Sequence, residues 1–307
     1  MCENREAPRW VTHAKDPKDG VPDPSGRIVF GQITGSDDLG GQILAPLFAV
    51  DPDGSDLVQL LDCHVSRPRF SRDGSMLAFG IEMSDGSWQL ATSAADGTNL
   101  RILTSYARSE ETEKFGNPDW APDGSWLAYG YNTDLWRIDV DGSHAQLFGA
   151  PDAFDAEPRF SPDGSQIVFL RGDFTKGVSE PWIRDLATGR ERSLISANLQ
   201  ELEHPDWSKD GRSVIYNTLS DADGQHTEQI ERMPVDDPAS EPDVVAGTPG
   251  HVTFKPAYSP DGRRIVFGCD EQLCLMDADG SNKTVLVSVP DVHLNHFAWG
   301  VLSTPDN

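Results

Sequence analysis

The chain has 307 residues, 37% of them hydrophobic and 8% aromatic, which is enough for one large all-β domain or two ordinary domains. It carries 50 acidic and 25 basic residues, a formal net charge of −25. Because phosphate backbones and anionic lipid headgroups repel such a surface, nucleic acid and membrane surfaces are not expected as general partners. The 28 glycines and 22 prolines favour many short strands joined by turns over long helices.

The N-terminal sequence, MCENREAPRW, lacks the hydrophobic region of a signal peptide. No later stretch approaches the roughly 20 apolar residues that a membrane-spanning helix needs. Cys2 directly follows Met1, which is where the lipid-bearing cysteine stands when a mature bacterial lipoprotein is produced without its signal peptide. The alternative is a chance cysteine in a cytoplasmic protein, so a lipid anchor through Cys2 is one of two interpretations.

Five segments of the chain align without gaps, and consecutive segments start 40 to 51 residues apart. This period is typical of the blades of a β-propeller. The segments are PRFSRDGSMLAFG from Pro68, PDWAPDGSWLAYG from Pro118, PRFSPDGSQIVFL from Pro158, PDWSKDGRSVIYN from Pro205 and PAYSPDGRRIVFG from Pro256.

Each segment predicts a β-hairpin. A short strand ends at the aromatic third residue, a turn built on proline, aspartate and glycine follows, and an alternating strand returns. A third strand then leads to an acidic turn such as DVDG at 139–142, and a fourth, outer strand follows. The fourth-strand candidates are LVQLLD, LRILTS, AQLFGA, RSLISA and TVLVSV. Four strands in each unit predict the blade of a propeller.

The two ends of the chain supply a sixth blade. DPSGRIVFG at 23–31 resembles the second strand of the repeat without a first strand, and NHFAWG at 295–300 resembles a first strand without the hairpin. We therefore expect the C-terminal strand to pair into the first blade and close the ring, which removes open sheet edges. The predicted organisation is an N-terminal arm over 1–22, one propeller over 23–300 and a C-terminal tail over 301–307.

This repeat resembles that of the TolB-like six-bladed β-propellers. Such repeats occur in the periplasmic protein TolB, in bacterial surface lipoproteins and in propeller domains of prolyl-oligopeptidase-type proteases. The resemblance covers the chain from about residue 23 to residue 300, and it specifies fold better than function. It implies a monomeric, non-catalytic scaffold of the cell envelope that binds a protein or a carbohydrate polymer. No G-x-S-x-G nucleophile motif accompanies the repeat.

The strand order places the tight turns on one face of the propeller and the longer links on the other. The long links span 31–42, 105–116, 172–181, 220–229 and 247–254, and binding residues concentrate on such loops. We expect this loop-rich face and the adjoining channel mouth to bind the partner. The residues just before the repeat prolines should rim that mouth; they are Arg67, Asn117, Glu157, His204 and Lys255.

The residues just after the prolines alternate in charge, which predicts salt bridges between adjacent blades, with a charged ligand as the functional alternative. They are Arg69, Asp119, Arg159, Asp206 and Ala257, with His296 taken as their counterpart in the closing strand.

Two kinds of metal site deserve comparison with simpler explanations. Carboxylates of the acidic turns suit Ca²⁺, but no turn carries the other ligands of a full calcium loop, and plain turn chemistry explains them as well. Channel histidines hold a metal in some propeller lyases that act on pectic oligosaccharides. A metal-dependent oligogalacturonate-type lyase or hydrolase is therefore the alternative function; its candidate ligands are His204, His251 and His296, with His64 and His293 near blade entries.

Cys269 and Cys274 flank a predicted tight turn. If Glu271 and Gln272 form that turn, the two cysteines lie opposite each other, close enough for a disulfide. A disulfide favours an oxidising compartment, and two buried thiols are the alternative. No second Cys or His pair nearby has zinc-ligand spacing.

Overall fold

The structure is a computed structural model that describes residues 26–36, 42–107, 116–150, 154–173, 178–195, 201–220, 227–237, 240–247, 253–270, 272–288 and 293–301. The predicted N-terminal arm, Cys2 and residues 302–307 lie outside this part of the chain, so the predicted domain bounds remain predictions.

The described residues form 24 β-strands in six four-stranded antiparallel sheets, and no helix occurs among them. Blades 1 to 3 contain, in order from the channel outwards, β24 (His293–Gly300), β1 (Arg27–Ser36), β2 (Gln42–Val50) and β3 (Val58–Leu61); β4 (Val65–Phe70), β5 (Met76–Glu82), β6 (Trp88–Ala94) and β7 (Arg101–Ile102); β8 (Gly116–Trp120), β9 (Trp126–Tyr131), β10 (Asp134–Asp139) and β11 (Gln146–Leu147).

Blades 4 to 6 repeat the same order. They contain β12 (Asp155–Phe160), β13 (Gln166–Asp173), β14 (Val178–Asp185) and β15 (Glu191–Ser193); β16 (Glu201–Trp207), β17 (Ser213–Ser220), β18 (Thr227–Pro234) and β19 (Asp243–Ala246); β20 (Thr253–Tyr258), β21 (Arg264–Cys269), β22 (Gln272–Asp277) and β23 (Thr284–Ser288).

The C-terminal strand closes the ring, as the half-blades at the two ends of the sequence predict. β24 pairs antiparallel with β1, with Trp299 opposite Ile28 and Phe297 opposite Phe30. It also contacts the inner strands β4 and β20 of the two neighbouring blades. The prediction of a six-bladed propeller with this closure is confirmed.

The hydrophobic core consists of six layers, one between each pair of neighbouring blades. Successive residues of a strand face opposite neighbours: Leu77 and Phe79 pack towards blade 1, whereas Ala78 packs towards blade 3. The layer between blades 3 and 4 is built in the same way around Phe169. Because every blade is covered on both faces, its two central strands read as almost continuous apolar runs.

The hairpin turns are held by their serine and aspartate side chains. In blade 4, Ser161 Oγ donates to Asp163 Oδ1 at 2.6 Å, and the same oxygen accepts from the Ser165 N–H at 3.0 Å. The hydrogen bonds from Ser161 and Ser165 lower the pKa of Asp163 to about 2. Gly164 has φ +73°, the left-handed conformation that this turn requires.

Candidate functional site

Every inner strand contains a β-bulge at the residue that precedes the repeat proline or its counterpart. The strand pairing skips this residue in each blade. All six residues are non-glycine with φ of 53° to 55°, which is uncommon for such residues. We call them the loop-side ring, because the inner strands run from the loop face towards the turn face. They are Arg67, Asn117, Glu157, His204, Lys255 and His296.

The position of His296 corrects the sequence alignment, which grouped it with the residues after the prolines. Phe297 stands at the place of the proline, and Ala298 pairs with Val29 as Arg69 pairs with Ala78. The closing strand has no proline to mark the register, so the alignment slipped by two residues. His296 belongs to the loop-side ring.

Glu157 of blade 4 and Glu203, which precedes His204 of blade 5, supply the acidic side of the loop-side ring. The Glu157 carboxylate accepts the backbone N–H of His204 at 2.7 Å, and its Oε1 lies 3.9 Å from His204 Nε2. His204 Nδ1 lies 3.4 Å from Glu203 Oε2 and 3.2 Å from Asn217 Oδ1. Burial raises the pKa of Glu203, but the hydrogen bond from His204 and the charges of His204, Lys255 and Arg67 together outweigh burial and hold this pKa at about 2.

Lys255, His296 and Arg67 are consecutive around the ring, in blades 6, 1 and 2, and the charges of Lys255 and Arg67 make this its cationic side. Burial and the neighbouring charge of Arg67 lower the pKa of Lys255 to about 8. Burial, Lys255 and Arg67 together lower the pKa of His296 well below its ordinary value. The ring is therefore polarised across the channel.

The residues after the prolines form a second layer, the turn-side ring, consisting of Arg69, Asp119, Arg159, Asp206, Ala257 and Ala298. Arg69 Nη2 meets Asp206 Oδ1 at 3.3 Å. These residues belong to blades 2 and 5, which are opposite each other, so this ion pair crosses the channel.

Neighbouring blades are joined at the turn-side ring by backbone hydrogen bonds instead of the predicted salt bridges. Asp119 Oδ2 accepts the N–H of Phe160 at 2.7 Å, and Asp206 Oδ2 accepts the N–H of Tyr258 at 2.9 Å. The prediction of salt bridges between adjacent blades was wrong, because these carboxylates accept backbone N–H groups of the next inner strand instead.

The tryptophans that follow these aspartates make the return connection. Trp120 Nε1 donates to the carbonyl oxygen of Arg69 at 3.1 Å, and Trp207 Nε1 donates to that of Arg159 at 3.0 Å. An Asp-Trp pair in an inner strand therefore bonds forwards with its carboxylate and backwards with its indole. Sequence reasoning missed this role of the tryptophans, although the D-W pairs were visible in two of the repeats.

Arg72 bridges the turn-side mouth of the channel. It stands where three of the other four repeats have proline, and its guanidinium donates to the backbone carbonyls of Ser161 and Pro162, two blades away. Together with the Arg69–Asp206 pair, it crosses a cavity of about 270 Å³ at this mouth. The channel is thus bridged at its turn-side end, while the loop-side ring faces the opposite mouth.

The predicted binding loops lie largely outside the described residues, which omit 37–41, 108–115, 174–177, 221–226 and 248–252. His251 and the side chain of His293 are outside them too. His64 is not in the ring; its Nδ1 lies 2.5 Å from Glu82 Oε2. In the part of the chain that the structure describes, no group of three or more His, Cys, Asp or Glu side chains is arranged to hold a metal ion. Of the histidines predicted as lyase metal ligands, only His204 and His296 are described in the loop-side ring.

The acidic turns use their carboxylates within the turn, as plain turn chemistry predicts. Asp141 Oδ1 accepts the N–H of Ser143 at 2.9 Å, and Asp279 does the same for Ser281. Hydrogen bonds from these serines lower the pKa of both aspartates. Nothing among the described turns gathers further oxygen ligands for Ca²⁺.

Cys269 and Cys274 form a disulfide with a Cα–Cα distance of 5.9 Å. They are diagonal, because Cys269 pairs with Gln272 and Cys274 with Phe267. The turn begins one residue earlier than the sequence suggested, at Asp270, which has φ +53°. The expectation of directly opposite cysteines was therefore wrong, although diagonal neighbours are also within bridging distance.

A six-bladed β-propeller with four-stranded blades and a ring of bulged inner strands defines the class of protein. A model of the TolB beta propeller domain family matches residues 47–232, and the chain belongs to this family. No helix among the described residues is long and apolar enough to span a membrane.

Two curated relatives illustrate the likeness. The chain is 24% identical over 187 residues to the Tol-Pal system protein TolB of Francisella tularensis subsp. holarctica (strain OSU18), covering 59% of this chain and 40% of that protein. It is 25% identical over 182 residues to the uncharacterised peptidase YuxL of Bacillus subtilis (strain 168), covering 56% and 26%. The chain thus spans about a quarter to two fifths of the length of these relatives.

Solved structures agree on the fold. The crystal structure of TolB from Acinetobacter baumannii superposes with a TM-score of 0.70 at 18% identity, over 91% of this chain and 67% of that chain. A putative TolB from Agrobacterium tumefaciens gives 0.60 at 19% identity, over 85% and 89%.

Proposed function

We propose that this propeller is a non-catalytic binding scaffold that holds a protein partner against its loop face and loop-side ring. The observation that carries the proposal is the ring itself: six side chains, one from each blade, on left-handed bulges around one mouth of the channel. Left-handed non-glycine residues are strained, and such strain concentrates at functional sites. The bridges from Arg69 and Arg72 at the other mouth support binding from the loop side.

The proposal includes a location in the bacterial cell envelope, with a lipid anchor at Cys2. Membership of the TolB propeller family and the Cys269–Cys274 disulfide support the envelope. Detergent phase partitioning of the protein from cells tests the anchor: a lipidated protein enters the detergent phase, and Cys2→Ser moves it to the aqueous phase. Equal partitioning of the two proteins would rule the anchor out.

The experiment that tests the binding face is photo-crosslinking in cells. A photoreactive residue at Met83, in the link between β5 and β6 on the loop face, should give one discrete crosslinked protein. The same residue at Leu147, on the outer strand β11, is the matched control, because the two side chains are 37% and 38% exposed. Identical products from both positions would contradict the assignment of the face. A crosslink to a polysaccharide would show that the partner is a carbohydrate polymer and not a protein.

A further inference from the structure

The loop-side ring and the arginines beneath it enclose a cavity of about 20 Å³ in an otherwise acidic protein. All of its charged and ionisable lining residues are arginine, lysine or histidine: Arg67, Arg69, Arg159, His204, Lys255 and His296. No aspartate or glutamate is among the described residues that line it. Four guanidinium or ammonium groups line this space, and although Asp206 pairs with Arg69, the excess of cations in the lining attracts an anion.

The size of the cavity limits the ligand. About 20 Å³ is room for one or two water-sized groups, since a single water requires roughly 10–15 Å³ on this measure, so the two oxygens of one carboxylate are the most that it can take. A sugar ring or a nucleotide phosphate with its ribose does not fit. One compact anionic group does.

The arginines in the lining keep hydrogen-bonding capacity in reserve. Arg159 is 6% exposed and donates through Nη1 to the carbonyls of Pro158 and Asn117, but its Nε has no hydrogen-bond partner among the described residues. Arg69 Nε is likewise buried without such a partner. Buried donors are normally satisfied, and guanidinium groups match the planar geometry of a carboxylate.

We propose that this cavity is an anion site that receives a single carboxylate group. The carboxylate has two sources that share one chemistry: a small free acid, or an aspartate or glutamate side chain of a docked partner. The site does not depend on the proposed scaffold function, because a free carboxylate binds whether or not a protein partner exists.

The titration of Lys255 gives the site a pH dependence. The pKa of this lysine, held at about 8 by burial and Arg67, is within reach of ordinary buffers. A bound anion favours the charged ammonium, so binding should weaken as pH rises through this value. The charged and titratable groups that act on Lys255 are Arg67, Glu203, Glu157 and Glu228, and those that act on His296 are Lys255, Arg67 and His204.

Sodium formate, the smallest carboxylate, is the probe. Titration calorimetry at pH 7 in low-chloride buffer should show binding that sodium sulfate at equal ionic strength does not reproduce. Lys255→Met should weaken formate binding roughly tenfold or more, since a charge-assisted hydrogen bond is lost. Lys209→Met, on the exposed turn side, is the matched control and should leave it unchanged. No formate binding, or equal effects of the two substitutions, would overturn the proposal.

A second measurement covers the case in which Lys255→Met does not fold. The affinity of the unaltered protein for formate should fall several-fold between pH 7 and pH 9. An affinity that does not change over this range would overturn the proposed site. Titration with N-acetyl-glutamate methylamide, which mimics an acidic side chain, distinguishes the two sources of the carboxylate. Binding of this probe supports a partner's side chain, and binding of formate alone supports a free acid. Binding of neither excludes the site.

Discussion

The ion pair across the channel, Arg69–Asp206, gives the sharpest stability prediction. Asp206→Ala removes both the acceptor of the Tyr258 N–H and the counter-ion of a guanidinium that is only 13% exposed. Breaking a fully buried pair costs about 3–5 kcal/mol; because water reaches part of this one, we expect a loss of about 2–4 kcal/mol. Asp206→Asn keeps an oxygen for the N–H and should cost less, about 1–2 kcal/mol.

A double-mutant cycle isolates the pair itself. Arg69→Met should cost less than Asp206→Asn, because Arg69 also repels the buried Arg159, whose pKa is lowered to about 10 by burial and by Arg69. The coupling energy between the two substitutions should be about 1 kcal/mol. Urea unfolding followed by tryptophan fluorescence and by far-UV circular dichroism gives these values, and coincident transitions justify the two-state treatment.

The control for this cycle is an exposed pair of similar length. Arg232 and Asp243 approach to 3.2 Å, but the aspartate is 72% exposed. Their coupling should be at most about 0.5 kcal/mol. If the channel pair couples no more strongly than this surface pair, the reasoning that blades 2 and 5 are held together across the channel is refuted.

Three further predictions follow from individual hydrogen bonds and the disulfide. Trp207→Phe removes an indole donor from a buried carbonyl and should cost about 1 kcal/mol, whereas Trp299→Phe, whose Nε1 has no partner among the described residues, should cost clearly less; equal losses in urea unfolding would contradict this. Asp163 has a folded-state pKa of about 2, below its value of about 3.9 in unfolded chains, so its stabilisation is complete above pH 4 and is lost as pH falls towards 2. Asp163→Asn should make the fall in melting temperature between pH 4 and 2 smaller without abolishing it, because Asp141 and Asp279 also have lowered pKa values; an unchanged fall would contradict the hydrogen bonds assigned to Asp163. Non-reducing peptide mapping should recover Cys269 linked to Cys274, and reduction should cost about 2 kcal/mol or less because the closed loop is short; alkylation of both thiols in native protein would show that the bond does not form.

The repeat in the sequence predicted the architecture because each of its signals has a local cause. Proline, aspartate and glycine dictate the hairpin turn within a few residues, and the strand alternation follows from burial on both blade faces. Blade 5 shows where this local reasoning fails. Its outer strand β19 (Asp243–Ala246) was not predicted, because PVDDPASEPD interrupts the acidic-turn signal seen in the other blades.

The channel could be predicted only in part, because its geometry depends on residues distant in sequence. The sequence assigned eleven residues to positions before or after the repeat prolines, and all of them except His296 stand in the corresponding ring. The partner of Arg69 lies 137 residues away, so no local pattern reveals it. His296 was misplaced by two residues because the closing strand has no proline to mark the register.

The distribution of charge connects these observations. Acidic residues cap the turns, where their carboxylates accept backbone N–H groups two residues ahead and are stabilised locally without any cation. Several cationic residues instead line the channel, where Arg69 and Arg72 bridge the turn side and Lys255 and Arg67 line the loop side. A negatively charged ligand therefore approaches against the field of the whole protein and is attracted only at the mouth. Since exposed charges are screened by salt more than buried ones, association with a carboxylate should be fastest at moderate ionic strength, and specificity should come from the enclosed ring.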